Sequence, residues 1–452
     1  MRLLVKLLKG ALVVLLVAVA ALAGWLYLAP PDLIRVGTGY TAKIVCSNVF
    51  IAGRDPQEVL AVDVQAPGHP LLGFIDIDVD REREVVSAAL LGLFGRNQAV
   101  HREGLGCASV PVGEIERVPA VGAAAHVEPV ERDAAAPWPE GEGVADADPA
   151  VAAILDDAEM VGPGMRAVVV VRDGRIVGER YGEGFSANTP LLGWSMTKTV
   201  TAAILGTLDD RLPRDAASLR PGWSDARSMI TVADLMAMSS GLEFNEDYGA
   251  VADVTRMLYL ESDMAGFAAD NPLLYPHGTE FSYSSGTSVI LSRLWQDRFD
   301  DQQQALSWPR RALFAPLGME SAVLETDAAG TFVGSSYLYA TARDWARFGQ
   351  FLLQGGEWDG TRILPAGYVD WMREPAPASG GTYGRGQLWL AGPERGRQAE
   401  LPDDTYWLRG HDGQSMAIVP SSRLIVLRLG LTPSSLDYSP APMIAALVAA
   451  GE

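Results

Sequence analysis

The chain has 452 residues, of which 48% are apolar and 20% are charged. This length suits one large domain or two with appendages, and the composition excludes a disordered or low-complexity protein. The 56 acidic residues outnumber the 36 basic ones, no run of Lys or Arg occurs, and the net charge of −20 argues against nucleic-acid binding. The two cysteines and five scattered histidines have no spacing typical of a metal site, so we expect no metal.

An uncharged run lies near the start of the chain. Residues 10–31 (GALVVLLVAVAALAGWLYLAPP) contain no charged side chain and are about as long as the ~20 residues that cross a bilayer as a helix. Arg2, Lys6 and Lys9 precede this run. The positive-inside rule therefore predicts a cytoplasmic head at residues 1–9, a transmembrane anchor, and export of everything downstream to the periplasmic side.

A cleaved signal peptide is the alternative, because Ala21-Leu22-Ala23 has the small-x-small form of a cleavage site. The apolar run continues past this site and is longer than the ~7–15 residues of a signal core, which favours an uncleaved anchor. Both interpretations place the domain in an oxidising compartment. There, Cys46 and Cys107 could pair and close a loop of about 60 residues. Two buried thiols are the alternative for these cysteines.

Composition distinguishes two segments, 32–127 and 128–149, that precede the large segment 150–452. Residues 32–127 form an N-terminal extension in which 41–52 and 75–79 look like strands, while 85–94 is apolar but of undecided type. Residues 128–149 are rich in Pro, Gly, Ala and acids, which predicts a solvated linker between modules.

Residues 150–452 alternate between strand and helix patterns. Two β-branched runs flank Asp173-Gly174, which is the strongest short signal for a hairpin. Helical periodicity dominates from Thr197 to about Ala315, strands return after Gly381, and a helical segment closes the chain. We therefore expect a mixed α/β domain, with an antiparallel sheet flanked by helices beside a mainly helical region.

The chain has only four lysines, and one of them, Lys198, lies close in sequence to a serine. Unlike arginine, lysine can lose its proton near neutral pH, so Lys198 is a candidate base. Ser195 lies three residues earlier, where a Gly-bearing loop enters a helical run, and positions i and i+3 share a helix face. Lys198 would take the proton of Ser195, and the first helical turn would stabilise an oxyanion. Chance retention of a surface lysine is the alternative.

Two further loops carry polar groups suited to the same chemistry. Tyr283 and Ser285 lie two residues apart before a helix, where the tyrosine could pass a proton and the serine could orient the lysine or bind substrate. His411, Gly413 and Gln414 precede a late strand, where the glycine allows close approach and Gln414 could supply an oxyanion N–H. Taken singly, each pattern is more often structural.

In this order, the three elements resemble the active-site set of the serine β-lactamase and penicillin-binding-protein superfamily, above all its class C and esterase-like branch. The resemblance spans roughly residues 150–440 and includes the non-catalytic stretch 231–242. It implies a sheet with helices on both faces and a covalent acyl-enzyme on Ser195, with proton transfer by Lys198 and Tyr283. It also implies that no metal or organic cofactor takes part.

Two departures from the superfamily pattern bear on the substrate. His411-Asp412-Gly413 stands where β-lactamases have Lys-Thr-Gly, so this position lacks the permanent cation that would meet a substrate carboxylate. Ser285 replaces the usual asparagine, which weakens recognition of a β-lactam or peptide amide. Both changes resemble relatives that hydrolyse esters or small linear amides, including 6-aminohexanoate-oligomer hydrolases. We therefore expect an exported, membrane-tethered serine hydrolase of a small-molecule ester or amide.

Two other kinds of function stay open at this point. A DD-peptidase or a β-lactamase would use the same acyl-enzyme, and a strong requirement for a free substrate carboxylate would favour the peptidases. A cell-envelope binding or sensor protein would keep the fold without turnover, because fold does not fix function. The intact Ser195, Lys198 and Tyr283 favour an enzyme.

Overall fold

The computed structural model of the protein describes residues 2–111, 113–115, 118, 127, 133–393 and 400–451. Its helices, in chain order, are α1 (Arg2–Leu28), α2 (Asp32–Phe50), α3 (Pro56–Val59), α4 (Pro149–Asp156), α5 (Ala158–Val161), α6 (Thr197–Gly206), α7 (Val232–Met236), α8 (Asp253–Leu260), α9 (Met264–Asp270), α10 (Ser285–Gln296), α11 (Gln302–Pro309), α12 (Ala315–Leu317), α13 (Ala342–Leu353), α14 (Tyr368–Arg373) and α15 (Ala441–Ala449). Its strands are β1 (Ile75–Asp80), β2 (Val85–Leu90), β3 (Phe94–Arg102), β4 (Gly106–Val110), β5 (Met165–Arg172), β6 (Arg175–Tyr181), β7 (Leu191–Leu192), β8 (Val323–Leu324), β9 (Leu338–Ala340), β10 (Glu357–Trp358), β11 (Thr361–Arg362), β12 (Tyr406–Arg409), β13 (Ser415–Val419) and β14 (Leu424–Gly430).

The contacts divide the chain into two compact units. The first, called unit 1 here, comprises Met1–His101, Cys107–Val118 and Asp247–Ser262. The second, unit 2, is formed by the following three segments: Arg102–Gly106, Pro119–Glu246 and Asp263–Glu452. A segment from the middle of the chain, which includes α8, thus belongs to unit 1. No change in composition marks the ends of this segment in the sequence.

The uncharged run of the sequence lies in α1. Residues Leu4–Leu28 of this helix have a mean hydropathy of 2.6 and are not buried against protein, so by length and composition the helix can cross a membrane. The helix ends before Pro30 and Pro31, because a proline disfavours the helical conformation in the residue before it and removes a backbone donor.

The strand predicted at residues 41–52 is wrong, since these residues lie in and just beyond α2. Nearly every side chain from Thr38 to Val49 is buried, including Ile44 and Val45. An apolar run that is buried on all sides of a helix loses the period that would identify it, and packing overrides the strand preference of β-branched residues.

A four-stranded antiparallel sheet completes unit 1, in the order β1-β2-β3-β4. The strand predicted at 75–79 is confirmed as β1, and the undecided segment 85–94 contains β2 and the start of β3. Cys46 of α2 and Cys107 of β4 form a disulfide with a Cα–Cα distance of 6.1 Å. The disulfide therefore ties the helix covalently to the sheet.

Unit 2 is built on a five-stranded antiparallel sheet in the order β12-β13-β14-β5-β6. The predicted hairpin is confirmed, because Asp173 and Gly174 join β5 to β6 with φ values of +52° and +75°. This pair of left-handed residues forms the turn that matches the twist of two antiparallel strands. Strand β5 also pairs with β14, so the first and last strand regions of the unit meet in the middle of the sheet.

Helices cover both faces of this sheet, as the resemblance implies. On one face, α4 and α15 pack on the strands through an apolar cluster that includes Val151, Val170, Val426 and Leu447. On the other face, α13 approaches closely, because a Cβ on Gly349 would meet Sδ of Met416 at 2.6 Å. The expected helical region is also present, with α6 and α10 among its buried helices.

The predicted linker, 128–149, begins outside the described residues. Its later part departs from the expected solvated state, because Trp138 is 1% exposed. The guanidinium of Arg347 donates to the carbonyl oxygens of Pro139 (3.2 Å) and Gly141 (2.7 Å). A buried cation needs acceptors, and these backbone carbonyls supply them. The expectation of a solvated linker is therefore wrong for residues 138–141. The predicted boundaries of the segments 32–127, 128–149 and 150–452 stay a prediction.

Candidate active site

Ser195 lies in a single 3₁₀ turn, Trp194–Met196, that leads directly into α6. Trp194 is buried and has a left-handed φ of +48°. The residue before it must be small, because a Cβ on Gly193 would meet the Trp345 ring at 2.2 Å. Tight packing therefore fixes the turn, and Ser195 faces the same side as Lys198 one helical turn later.

Lys198 is 1% exposed and donates three hydrogen bonds. The distances from Nζ are 3.1 Å to Oγ of Ser195, 3.0 Å to Oγ of Ser285 and 3.0 Å to the carbonyl oxygen of Ser335. Burial lowers the pKa of Lys198 to about 8, and the negative charge of Glu246 partly opposes this change. Roughly one tenth of the amine is then neutral at pH 7, which gives a usable base.

Glu246 is a site residue that the sequence did not reveal. Its carboxylate accepts from the backbone N–H of Ser285 at 2.8 Å and from the Ser285 hydroxyl. Since that hydroxyl donates to Glu246, its oxygen can accept from Lys198. Glu246 lies in an irregular segment with no motif around it, so only the fold brings it to Ser285.

Tyr283 forms a wall of the site beside Lys198. The Nζ of Lys198 lies over the tyrosine ring, 4.7 Å from its centroid, while the ring packs on Trp389 at 5.3 Å and on the edge of Tyr383 at 6.0 Å. Burial and the charge of Glu246 raise the pKa of the Tyr283 hydroxyl, against the opposing effect of a hydrogen bond with Ser195. The hydroxyl is thus protonated at neutral pH and suited to donate.

The His411–Gly413 turn connects β12 to β13 and reaches the same site. The His411 ring meets the edge of Trp194 with centroids 5.5 Å apart, and its Nε2 lies 3.4 Å from Oδ1 of Asp412. Gly413 has a φ of +80°, which L side chains rarely adopt. The structure therefore brings this predicted element next to the turn that carries Ser195.

Gln414 holds this turn with its side chain. Its Nε2 donates to the carbonyl oxygens of Gly430 (2.6 Å) and His411 (3.0 Å), and its Oε1 accepts from the Gly430 backbone at 2.8 Å. The side chain is thus part of the sheet, and any contribution to an oxyanion would come from the backbone N–H.

Arg409 is a second residue that sequence reasoning missed. Its guanidinium lies over the Trp389 ring, 4.6 Å from the centroid, and Trp389 also packs on Tyr283. The positive charge of Arg409 favours the ionised form of Tyr283 and so opposes part of the rise in the pKa of that hydroxyl. A permanent cation is therefore close to the site although His411 replaces the usual lysine. Arg409 precedes His411 by two residues, and this proximity in sequence could have identified it as a site residue.

No cluster of three or more His, Cys, Asp or Glu that could hold a metal ion occurs within the part of the chain that the structure describes.

Comparison with known protein families shows the family of this chain. The profile described as Beta-lactamase matches residues 156–445, well over half of the chain, and the chain belongs to this family. A 6-aminohexanoate-dimer hydrolase of Paenarthrobacter ureafaciens is 26% identical over 302 residues, which cover 59% of this chain and 72% of that protein. The profile match identifies a member of a serine hydrolase family, and the relative from Paenarthrobacter is named as a hydrolase.

Two solved structures show the same fold. A penicillin-binding-protein homologue from Caulobacter crescentus has a TM-score of 0.51 and 16% identity, covering 68% of this chain and 99% of that one. A hydrolase with promiscuous acyltransferase activity has a TM-score of 0.51 and 16% identity, covering 66% and 97%. At this identity the likeness concerns the fold alone.

Proposed function

We propose that the protein is an exported, membrane-tethered serine hydrolase that cleaves an ester or amide through an acyl-enzyme on Ser195. The observation that carries the proposal is the 3.1 Å hydrogen bond between the buried Nζ of Lys198 and Oγ of Ser195. A serine is a weak nucleophile until a base takes its proton, and a lysine with a pKa of about 8 can do so. The exposed apolar helix α1 supports the tether.

In acylation, the neutral amine of Lys198 accepts the proton of Ser195 while Oγ forms a bond to the substrate carbonyl carbon. The backbone N–H groups of Ser195 and Gln414 would stabilise the negative charge on the carbonyl oxygen. Tyr283 donates a proton to the leaving amine or alcohol as its bond to carbon breaks, and Lys198 returns a proton to Tyr283. Water then attacks the acyl carbon and gives a proton to the neutral amine of Lys198. The bond between the acyl carbon and Oγ breaks, Lys198 passes that proton to Oγ of Ser195, and the acid leaves.

Two features of the site bear on the substrate: the first disfavours a β-lactam, and the second suits a free carboxylate, which a linear amide, a D-alanyl-D-alanine peptide and a penicillin can all carry. The Ser285 hydroxyl accepts a hydrogen bond from Lys198 and donates one to Glu246. It is therefore already engaged and does not supply a hydrogen-bond donor for the amide of a β-lactam. Arg409 contributes a permanent positive charge next to Tyr283. A guanidinium is well shaped for a carboxylate. The relative from Paenarthrobacter, named as a hydrolase of 6-aminohexanoate dimer, agrees with a linear amide.

The test uses the full-length protein in detergent with four compounds: a nitrophenyl ester, the linear dimer of 6-aminohexanoate, a D-alanyl-D-alanine peptide and a penicillin. Product release and intact mass are measured for the wild type, Ser195→Ala, Lys198→Ala and the control Ser435→Ala, whose serine is exposed. We expect turnover of the ester or linear amide in the wild type and control, and none in the first two variants.

The other outcomes decide between the alternatives. Preference for the D-alanyl-D-alanine peptide or the penicillin would favour a DD-peptidase or β-lactamase. A stable acyl mass without product release would favour a binding or sensor protein. Activity that survives Ser195→Ala would exclude the proposed mechanism altogether.

A further inference from the structure

One end of the unit 1 sheet exposes three large apolar side chains. Phe74, Leu91 and Leu93 are 58%, 57% and 65% exposed. They are neighbours, because the N–H of Leu91 donates to the carbonyl oxygen of Phe74 at 2.8 Å and Leu93 follows two residues later. We call these three residues the apolar tip. Clustered apolar side chains that face outward mark an interaction surface.

The local backbone does not explain the leucine at the apex of the tip. Leu91 and Gly92 have φ values of +52° and +69°, and the N–H of Leu93 donates to the carbonyl oxygen of Leu90 at 3.1 Å. This is a two-residue turn whose first position favours Asn, Asp or Gly, because other side chains are strained there. Leu91 is therefore an exposed leucine at a position where formation of the turn favours Asn, Asp or Gly.

The apolar tip lies beside the point where α1 ends. Residues just after α1 pack on the start of β3, since a Cβ on Gly95 would meet Ile34 at 2.6 Å and Pro30 at 3.4 Å. The hydroxyl of Thr38 also donates to the carbonyl oxygen of Gly95 at 2.5 Å. Gly95 follows the tip by two residues. Where α1 leaves a bilayer, the tip is therefore at the level of the membrane surface.

We propose that the apolar tip inserts into the outer interface of the same lipid bilayer that α1 crosses. This inference rests on the proposed membrane tether. Trp25 and Tyr27, near the end of α1, are 52% and 68% exposed and suit the same interfacial depth. Insertion is shallow, because the exposed carboxylate of Asp76 lies 3.5 Å from where a Cβ on Gly92 would be. The anchor and the tip together hold unit 1 at two points on the membrane.

The test measures lipid contact at three positions of the full-length protein in phosphatidylcholine vesicles that contain some phosphatidylglycerol. Because Cys46 and Cys107 are paired, the variants Leu93→Cys, Glu82→Cys and Val17→Cys each add one free thiol for an environment-sensitive fluorophore. Glu82 is an exposed residue in the turn at the far end of β1 and β2, roughly 20 Å from the tip at the rise of a strand. Lipids with a spin label near the headgroup or deep in the chain serve as quenchers.

We expect severalfold stronger quenching at position 93 than at position 82, with the shallow quencher more effective than the deep one at 93. Position 17 should respond best to the deep quencher. Quenching at 17 without quenching at 93 would overturn the insertion of the tip and leave the tether intact. No lipid quenching at 17 would overturn the tether and the tip proposal with it. Shielding at 93 that depends on protein concentration and not on the lipid quencher would assign the tip to a second copy of the chain.

Discussion

The backbone of Gly410 lies against that of Gly193: a Cβ on Gly410 would be 2.3 Å from the carbonyl oxygen of Gly193. This contact joins the β12–β13 turn to the turn that carries Ser195. The φ of Gly410 is −127°, which any residue can adopt, so a substitution would act through steric clashes, with the Gly193 carbonyl and with Cβ of Gln414 at 2.9 Å.

We predict that Gly410→Ala separates the two turns and lowers kcat by about 10²-fold, since displacements near 1 Å at a reacting centre cost that much. The change is measured by steady-state kinetics with a thermal melt as a folding check. Gly222→Ala is the matched control, because a Cβ there meets no atom within 4 Å. Equal kcat in both variants would show that the contact has no part in catalysis.

Removing the charge of Glu246 should move the pH dependence of the reaction. Activity rises as Lys198 loses its proton, so the rising limb of kcat/KM should have a midpoint of about 8 in the wild type. Glu246 raises the pKa of Lys198 by stabilising the ammonium. In Glu246→Gln this pKa falls and the rising limb moves to lower pH. Glu243→Gln, an exposed neighbour in sequence, should leave the limb in place, and an unmoved limb in both would refute the coupling.

Arg409 should govern affinity for a substrate carboxylate. A charged hydrogen bond contributes about 1.5–3 kcal/mol, so Arg409→Gln should raise KM by about 10- to 100-fold for a substrate with a carboxylate. KM for a neutral nitrophenyl ester should stay unchanged. The control Arg362→Gln removes an exposed arginine that pairs with Glu357. A similar rise in KM for both substrates would mean that Arg409 supports the wall of the site rather than binding the carboxylate.

The disulfide should stabilise unit 1. Cys46 and Cys107 are 61 residues apart in sequence, and closing a loop of that size restricts the unfolded chain by up to about 4 kcal/mol. We expect the Cys46→Ala/Cys107→Ala variant to unfold at lower urea concentration, as followed by circular dichroism. Adding a reducing agent should shift the wild type in the same direction and leave the double variant unaffected. A reductant effect of equal size on both proteins would assign the shift to another cause.

The placement of Ser195 beside Lys198 is predictable from the sequence because it depends on local spacing. Ser195 and Lys198 are one helical turn apart, so the sequence alone places their side chains together, and the scarcity of lysine distinguishes this pair from a chance pattern. The hairpin at Asp173-Gly174 was predictable for the same reason, since two adjacent residues determine its turn.

The features that the sequence did not reveal depend on distant contacts. Glu246 meets Ser285 across 39 residues of chain, with no periodic pattern between them. The sequence of α2 predicts a strand because burial on all sides of this helix removes the amphipathic pattern. Trp138 lies in a segment with the composition of a linker, and that segment is packed through residues distant in sequence, among them Arg175 and Arg347.

The pairing of β5 with β14 sets the order in which the site can form. Strand β14 is made near the end of synthesis, and until it arrives β5 and β13 have no shared neighbour and expose their hydrogen-bonding edges. Contacts this distant in sequence form late and slowly. For the export proposed above, a chain that crosses the membrane unfolded would complete this sheet only after the residues of β14 have crossed.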